Sequence, residues 1–299
     1  MNCERFTLPL KYVDGLCYPD YFIDKNIRET VNWKPDDGDV IVSTYPKCGT
    51  TWVQAIVWMI QNNGEGSLPR FNDMMIKLTP FMESIGIDAA KALPSPRHLK
   101  SHLPFNLIPK NRNAKYITVV RNPKDVCVSF HHFCRELFHI HDVHSCTFDQ
   151  FFEEFIKGAV PYGDYFDHIL SWYKHKNDEN VLFLVYEQMK KNHYEAVMRI
   201  AKFLSSKEID YEKLLTNDPN LLKTIVEKTT FDAMKNLPVN DPSEFTDPKN
   251  VGDCGNLIKF YRKGIVGDWV TCFNAEQNNR MDNLIKQKFG DIVNEFGWN

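Results

Sequence analysis

Three short apolar, β-branched runs punctuate the chain: Val40 to Ser43, Tyr116 to Val120 and Val181 to Tyr186. Apolar residues at consecutive rather than alternate positions predict strands buried on both faces, as in a parallel sheet. Each run is followed by a helical pattern: "TTWVQAIVWMIQNN" after the first, closed by "NNGEG", then "PKDVCVSFHHFCREL" and "NHYEAVMRIAKFLSS". A short fourth strand is expected around "RHLKSH". This β-then-α alternation implies right-handed crossovers and helices on both faces of the sheet. The expected fold class is therefore α/β, a single domain over residues 1–299 with a central parallel sheet.

Two further patterns fill in the plan. "FDQFFEEFIKG" places Phe148, Phe151, Phe152 and Phe155 on one helical stripe, best read as core packing. From Asn236 to Asn256, "NLPVNDPSEFTDPKNVGDCGN" has three Pro, two Gly and little apolar periodicity. It predicts a long surface loop of the kind that serves as a lid, extending over about 236–263. There is no internal repeat and no low-complexity tract.

Charge and composition narrow the possible partners. A net charge of −3 argues against a general nucleic-acid binder, which needs cationic excess to displace counterions, so any anion site must be local. The 21 Phe, 12 Tyr and 6 Trp suit either an aromatic-rich core or a pocket for flat apolar molecules. The opening "MNCERFTLPLKYVDG" carries Glu4, Arg5 and Lys11 and does not read as a secretory signal. The longest apolar run, Ala55 to Ile60, is too short to cross a bilayer, and no lipidation signature is present. Eight Cys without a CxxC pair fit a reduced, cytoplasmic protein with no membrane partner.

The candidate chemistry centres on "DVIVSTYPKCGTTW", Asp39 to Trp52, where a strand turns into a helix. Gly49 permits close backbone approach, and the N–H groups of Gly49, Thr50 and Thr51 open the helix toward an anion. The two Thr hydroxyls add donors and Lys47 adds charge. This P-loop-like element departs from the G-x-x-x-x-G-K-[ST] pattern: Gly49 is followed by Thr, and Lys47 precedes it. From this stretch alone, a capped helix start beside a surface Lys is the minority reading.

Further motifs are present. "TYPKCGTTW" resembles the 5′-phosphosulfate loop of the cytosolic sulfotransferases, in which Ser usually stands at the place of Cys48. "LKSHLP" resembles that family's catalytic Lys-x-His strand, "VVRNPKDVCVSF" its 3′-phosphate motif, and "VLFLVYEQMK" its third-strand signature. "EKTTFDAMKN" and "FYRKGIVGDW" resemble later nucleotide-binding segments. Six collinear motifs spanning Thr44 to Trp269 are far more specific than any one of them.

The resemblance implies an activity and a set of roles. The donor would be 3′-phosphoadenosine 5′-phosphosulfate, leaving adenosine 3′,5′-bisphosphate as product, with no metal required. Lys47, Cys48, Gly49, Thr50 and Thr51 would hold its 5′ end, and Arg121, Ser129, Arg262, Lys263 and Gly264 its 3′-phosphate, with Phe260 and Tyr261 in the same segment. Trp52 and Phe231 would sandwich the adenine, while Tyr186, Thr229 and Thr230 reach its polar atoms. His102, with a pKa near neutrality, would take the acceptor's proton, and Lys47 and Lys100 would stabilise transition-state charge. The acceptor would be a small phenol, alcohol or amine, with Phe81, Phe133, Tyr165 and Phe166 as candidate contacts.

Several features stand apart from that core. "HHFCRELFHIHDVHSC" groups His131, His132, His139, His141 and His144 with Cys134 and Cys146, but without standard zinc spacing, so no metal site is expected. "VTCFNAEQNN" lacks the Lys, Thr-Val and Glu of the family's dimer segment, leaving a monomer or weak homodimer. Cys48, at a helix N-terminus, is expected to have a lowered thiol pKa and to be oxidation-sensitive without acting as a nucleophile. Two other classes stay open: an ATP-dependent phosphotransferase using Glu187 as a Mg²⁺ ligand, and a non-catalytic nucleotide-binding protein.

Overall fold

The apolar runs form a four-stranded parallel sheet: Val40–Ser43 (β1), His98–Ser101 (β2), Lys115–Val120 (β3) and Val181–Val185 (β4), in the spatial order β2-β1-β3-β4. The computed structural model describes residues 8–137, 146–237, 239 and 260–298. Most of the expected lid, and His139, His141 and His144 of the histidine-rich run, lie outside them.

All four residues of β1 are buried, which explains why its sequence does not alternate. Ile41 enters a core with Leu99, Tyr116, Phe151 and Trp172 on one face of the sheet. Val40 and Val42 enter a second core with Ile56, Ile60 and Ile200 on the other. Helices Thr50–Gln61 (α1) and His193–Leu204 (α2) supply the second core, whereas Phe148–Ile156 and Tyr165–Tyr173 supply the first. The Phe stripe is core: Phe151, Phe152 and Phe155 are buried. At the entrance to the sheet, Asp39 accepts a fork from Arg97, Nε at 3.0 Å and Nη2 at 2.7 Å, locking the starts of β1 and β2 together.

β1 has β2 on one side and β3 on the other, so the chain reverses direction across the sheet at the carboxyl end of β1. That switch point is where open α/β sheets leave a crevice for ligands. The free edge of β2 is covered by a short π-helical turn, Met74–Leu78, and a bridge from Phe81 to Lys100, with Lys100 N–H donating to the Pro80 carbonyl at 3.0 Å. This edge cover was not expected from the sequence, nor was the hairpin of Leu10–Val13 and Leu16–Pro19. Its signal was available: Asp14 and Gly15 both have positive φ, as an Asp-Gly turn between apolar residues requires. The third run also ends one residue early, because Tyr186 opens the helix Tyr186–Lys191 and brings its ring beneath Gly49.

Candidate active site

A cavity of about 270 Å³ opens at the carboxyl ends of β1, β2 and β3. On its floor the chain turns sharply, with Lys47 at φ +68° and Gly49 at φ +106°. A Cβ at Gly49 would lie 3.0 Å from the Tyr186 ring, so only glycine fits without displacement. α1 begins there with neither a side-chain cap nor an acidic residue in its first turn, and Thr50 and Thr51 face the cavity. An uncapped helix N-terminus opening into a cavity is a ready site for an anion.

Three cations converge on the same space, Lys100 and Arg121 buried and Lys47 half-buried. Lys47 Nζ lies over the rings of Phe133 and Phe260, at 4.4 and 4.2 Å, and pairs with no carboxylate among the described residues. Burial, reinforced by Arg121 and Lys100, pushes its pKa down to about 7. Lys100, 3.2 Å from the Met75 sulfur and over the Phe81 ring, is likewise lowered to about 7 by burial. Arg121 donates to the Lys47 and Ile265 carbonyls at 3.1 and 3.2 Å, and its Nε is buried without a partner. Desolvating cations is costly: Glu83 offsets part of that cost for Lys100, Lys47 has no carboxylate partner among the described residues, and the cluster fits a polyanionic guest.

A pH dependence follows. An anion favours the protonated lysines, so they must take up protons on binding wherever the free protein has lost them. Affinity for adenosine 3′,5′-bisphosphate is therefore expected to be flat below about pH 7. Above it, affinity should fall by up to about tenfold per pH unit for each lysine, until the raised pKa of the complex is reached. Calorimetric titrations from pH 6 to 9 check this, and an affinity that rises with pH would contradict it.

His102 follows β2 directly and is poised by its own backbone surroundings. Its Nδ1 lies 2.8 Å from the Thr44 carbonyl, which can only accept, so Nδ1 carries the proton and Nε2 is bare. The ring is held edge-on between Phe81 and Tyr162, with centroids 5.1 and 5.2 Å away. Glu83, which the sequence reading did not single out, accepts from His102 N–H at 2.7 Å and from Ser101 Oγ at 2.9 Å. Burial raises the Glu83 pKa to about 7. The expected near-neutral pKa for His102 needs correcting: burial, then the charge of Lys100, holds it well below the ordinary histidine range. The imidazole is thus neutral at neutral pH, with its one proton on Nδ1.

Beside the loop, Trp52 donates Nε1–H to the Thr229 carbonyl at 2.9 Å and lies edge-on to Tyr186 and His193. These rings line the cavity together with Phe231 and Thr230. Gly264, at φ +64°, passes so close that an added Cβ would overlap the Phe231 ring. Ser129, Phe260, Tyr261 and Arg262 line the cavity nearby.

A sequence profile of the sulfotransferase domain matches residues 37–293. The chain belongs to the sulfotransferase family. It is 38% identical over 272 residues to rat (Rattus norvegicus) sulfotransferase 1C2, covering 88% of this chain and 86% of the relative. It is 35% identical over 302 residues to rabbit (Oryctolagus cuniculus) amine sulfotransferase, covering 99% and 95%. Among solved structures, mouse sulfotransferase SULT7A1 complexed with PAP matches with a TM-score of 0.74 at 28% identity, over 97% and 98% of the two chains. Retinol dehydratase in complex with retinol and PAP matches at 0.72 and 25%, over 95% and 91%.

Not every expected contact of this sulfotransferase lies at the cavity. Tyr165 and Phe166 are in the core. The Tyr165 hydroxyl donates to the Arg121 carbonyl and Phe166 packs on Phe289, so the wall expected from them is made by Pro161 and Tyr162 instead. Phe81 and Phe133 do face the cavity. Thr229 is fully buried, with its hydroxyl donating to the Ile225 carbonyl, and Lys263 points to Asp268 at 2.9 Å, outside the lining. Asp268 also holds Arg262, while Asp125 anchors that loop through the amides of Gly267 and Trp269. Glu187 is engaged by Asn122 N–H and Trp298 Nε1–H, both at 2.9 Å, which commits both oxygens and weakens the Mg²⁺-ligand reading. Among the described residues no cluster of His, Cys, Asp and Glu has the arrangement of a metal site.

Cys48 requires the largest correction. Its side chain is fully buried in the core beneath the loop, its N–H donates to the Tyr45 carbonyl at 3.3 Å, and burial pushes the thiol pKa up. Desolvation outweighs the helix terminus because the sulfur points away from the cavity. Cys48 is therefore expected to resist alkylation in the native protein, with or without nucleotide. Among the described cysteines only Cys272 is partly exposed, so peptide mapping after mild labelling should find label on Cys272 and none on Cys48.

Proposed function

We propose that the enzyme transfers a sulfuryl group from 3′-phosphoadenosine 5′-phosphosulfate to the hydroxyl or amine of a small, apolar, aromatic acceptor. The observation that carries this is the bare Nε2 of His102 sharing one cavity with Lys47, Lys100 and an uncapped helix N-terminus. The presence of PAP in the mouse and retinol dehydratase structures supports the donor. Two separated groups of donors suit a nucleotide charged at both ends: Lys47, Gly49, Thr50 and Thr51 for the 5′ side, and Arg121, Ser129, Arg262 and Gly264 for the 3′-phosphate.

In this mechanism His102 Nε2 accepts the acceptor's proton as the new oxygen–sulfur bond forms. Lys47 and the α1 amides meet the charge that develops on the phosphate oxygen as its bond to sulfur breaks. Lys100 faces the same point from β2 and compensates the equatorial oxygens of the transferring group. Phe22, Phe71, Met75, Phe81, Phe133 and Tyr162 enclose the acceptor side in apolar surface, which suits a flat ring.

The same reading makes the protein a cytoplasmic monomer or weak homodimer of one domain, with residues 236–263 as its lid and no nucleic-acid or membrane partner. A thermal shift tests the donor. Adenosine 3′,5′-bisphosphate without metal is expected to raise Tm by several degrees at saturation, and ATP with Mg²⁺ to do little. The reverse result would overturn the proposal in favour of phosphoryl transfer.

A further inference from the structure

The mechanism above leaves a cavity-lining side chain without a task. His193 is the first residue of α2, whose start is capped by Asn192 accepting from Glu195 N–H at 3.1 Å. Its ring packs edge-on to Trp52, with centroids 5.1 Å apart, and lines the cavity together with Phe231. Nε2 lies 3.1 Å from Thr229 Oγ1. That hydroxyl has one proton, and donates it to the Ile225 carbonyl at 2.7 Å. Nε2 must therefore be the donor, which settles the tautomer and leaves Nδ1 as a bare acceptor with no partner among the described residues. Burial and the charge of Lys190 lower the His193 pKa to about 4, so the ring stays neutral at working pH.

We propose that His193 is the residue that reads the donor's base, its Nδ1 accepting an N–H of the exocyclic amino group of adenine while Trp52 and Phe231 cover the ring. This rests on the donor assigned above. Thr229, whose hydroxyl is spent on Ile225 and His193, acts as a positioning residue that orients the imidazole. A base without the amino group leaves Nδ1 unpaired in a half-buried slot, and an unpaired polar group is the strongest source of discrimination between similar ligands.

The test is calorimetric titration of adenosine 3′,5′-bisphosphate against its purine riboside analogue, which lacks only the amino group. The wild-type protein is expected to prefer the adenosine compound by about tenfold. His193→Phe should bring the two within about twofold of each other, and His193→Asn, which keeps a side-chain acceptor, should restore part of the preference. A wild-type protein that binds both equally, or variants that keep the wild-type ratio, would overturn the assignment of His193 alone. A wild-type protein that binds neither would overturn the donor assignment and this inference with it.

Discussion

Replacing His102 with alanine is expected to lower turnover by about a hundredfold or more while leaving affinity for adenosine 3′,5′-bisphosphate within about twofold. In the proposed mechanism the two readouts separate, since His102 acts on the acceptor whereas the proposed anion donors are on the β1 loop and beside Arg121. The depressed pKa adds a signature. Loss of activity at acid pH through protonation of this group should occur well below pH 6.5, not near it, because burial and Lys100 oppose the imidazolium. Turnover at a tenth or more of the wild-type rate would show that another group takes the proton. A His102→Gln variant distinguishes basicity from packing: it fills the space between Phe81 and Tyr162 but cannot act as a base at neutral pH.

The second large effect belongs to Lys47 and has two signs. Lys47→Met is expected to reduce kcat by about a hundred- to a thousandfold, the usual loss when one charge-stabilising donor is removed. It should also raise the Tm of the nucleotide-free protein by about 2–4 °C, because it removes a half-buried cation that Arg121, Lys100 and Arg262 all oppose. A variant that loses activity and stability together would mean that Lys47 supports the fold.

Much of the architecture was legible along the chain. The runs Val40–Ser43 and Tyr116–Val120 announced buried strands because every residue in them is apolar or small, and only a sheet covered on both faces accepts that. The edge cover over β2 was not legible. A π turn and a single bridge at Phe81 leave no periodicity in the sequence, since they form only against a strand already in place. The Asp14-Gly15 hairpin was legible, since an Asp-Gly pair between apolar residues is a local turn signal.

The site divides in the same way. Backbone demands can be read from residue type alone: Gly49 and Gly264 stand where a Cβ would press on Tyr186 or overlap Phe231. The direction of a side chain cannot. Whether Tyr165 or Tyr162 lines the cavity and whether Cys48 faces the cavity or the core depend on which face each element turns to its neighbours.

By itself, then, the sequence determined the α/β order, the phosphate loop and the identity of the charged groups, because these follow from local periodicity, glycine placement and side-chain chemistry. Only the tertiary structure decided how those groups behave. Burial moved Lys47 and Lys100 down to about 7, lowered His102 and raised Cys48. A pKa records the charges and the water around a group, and residues distant along the chain set both.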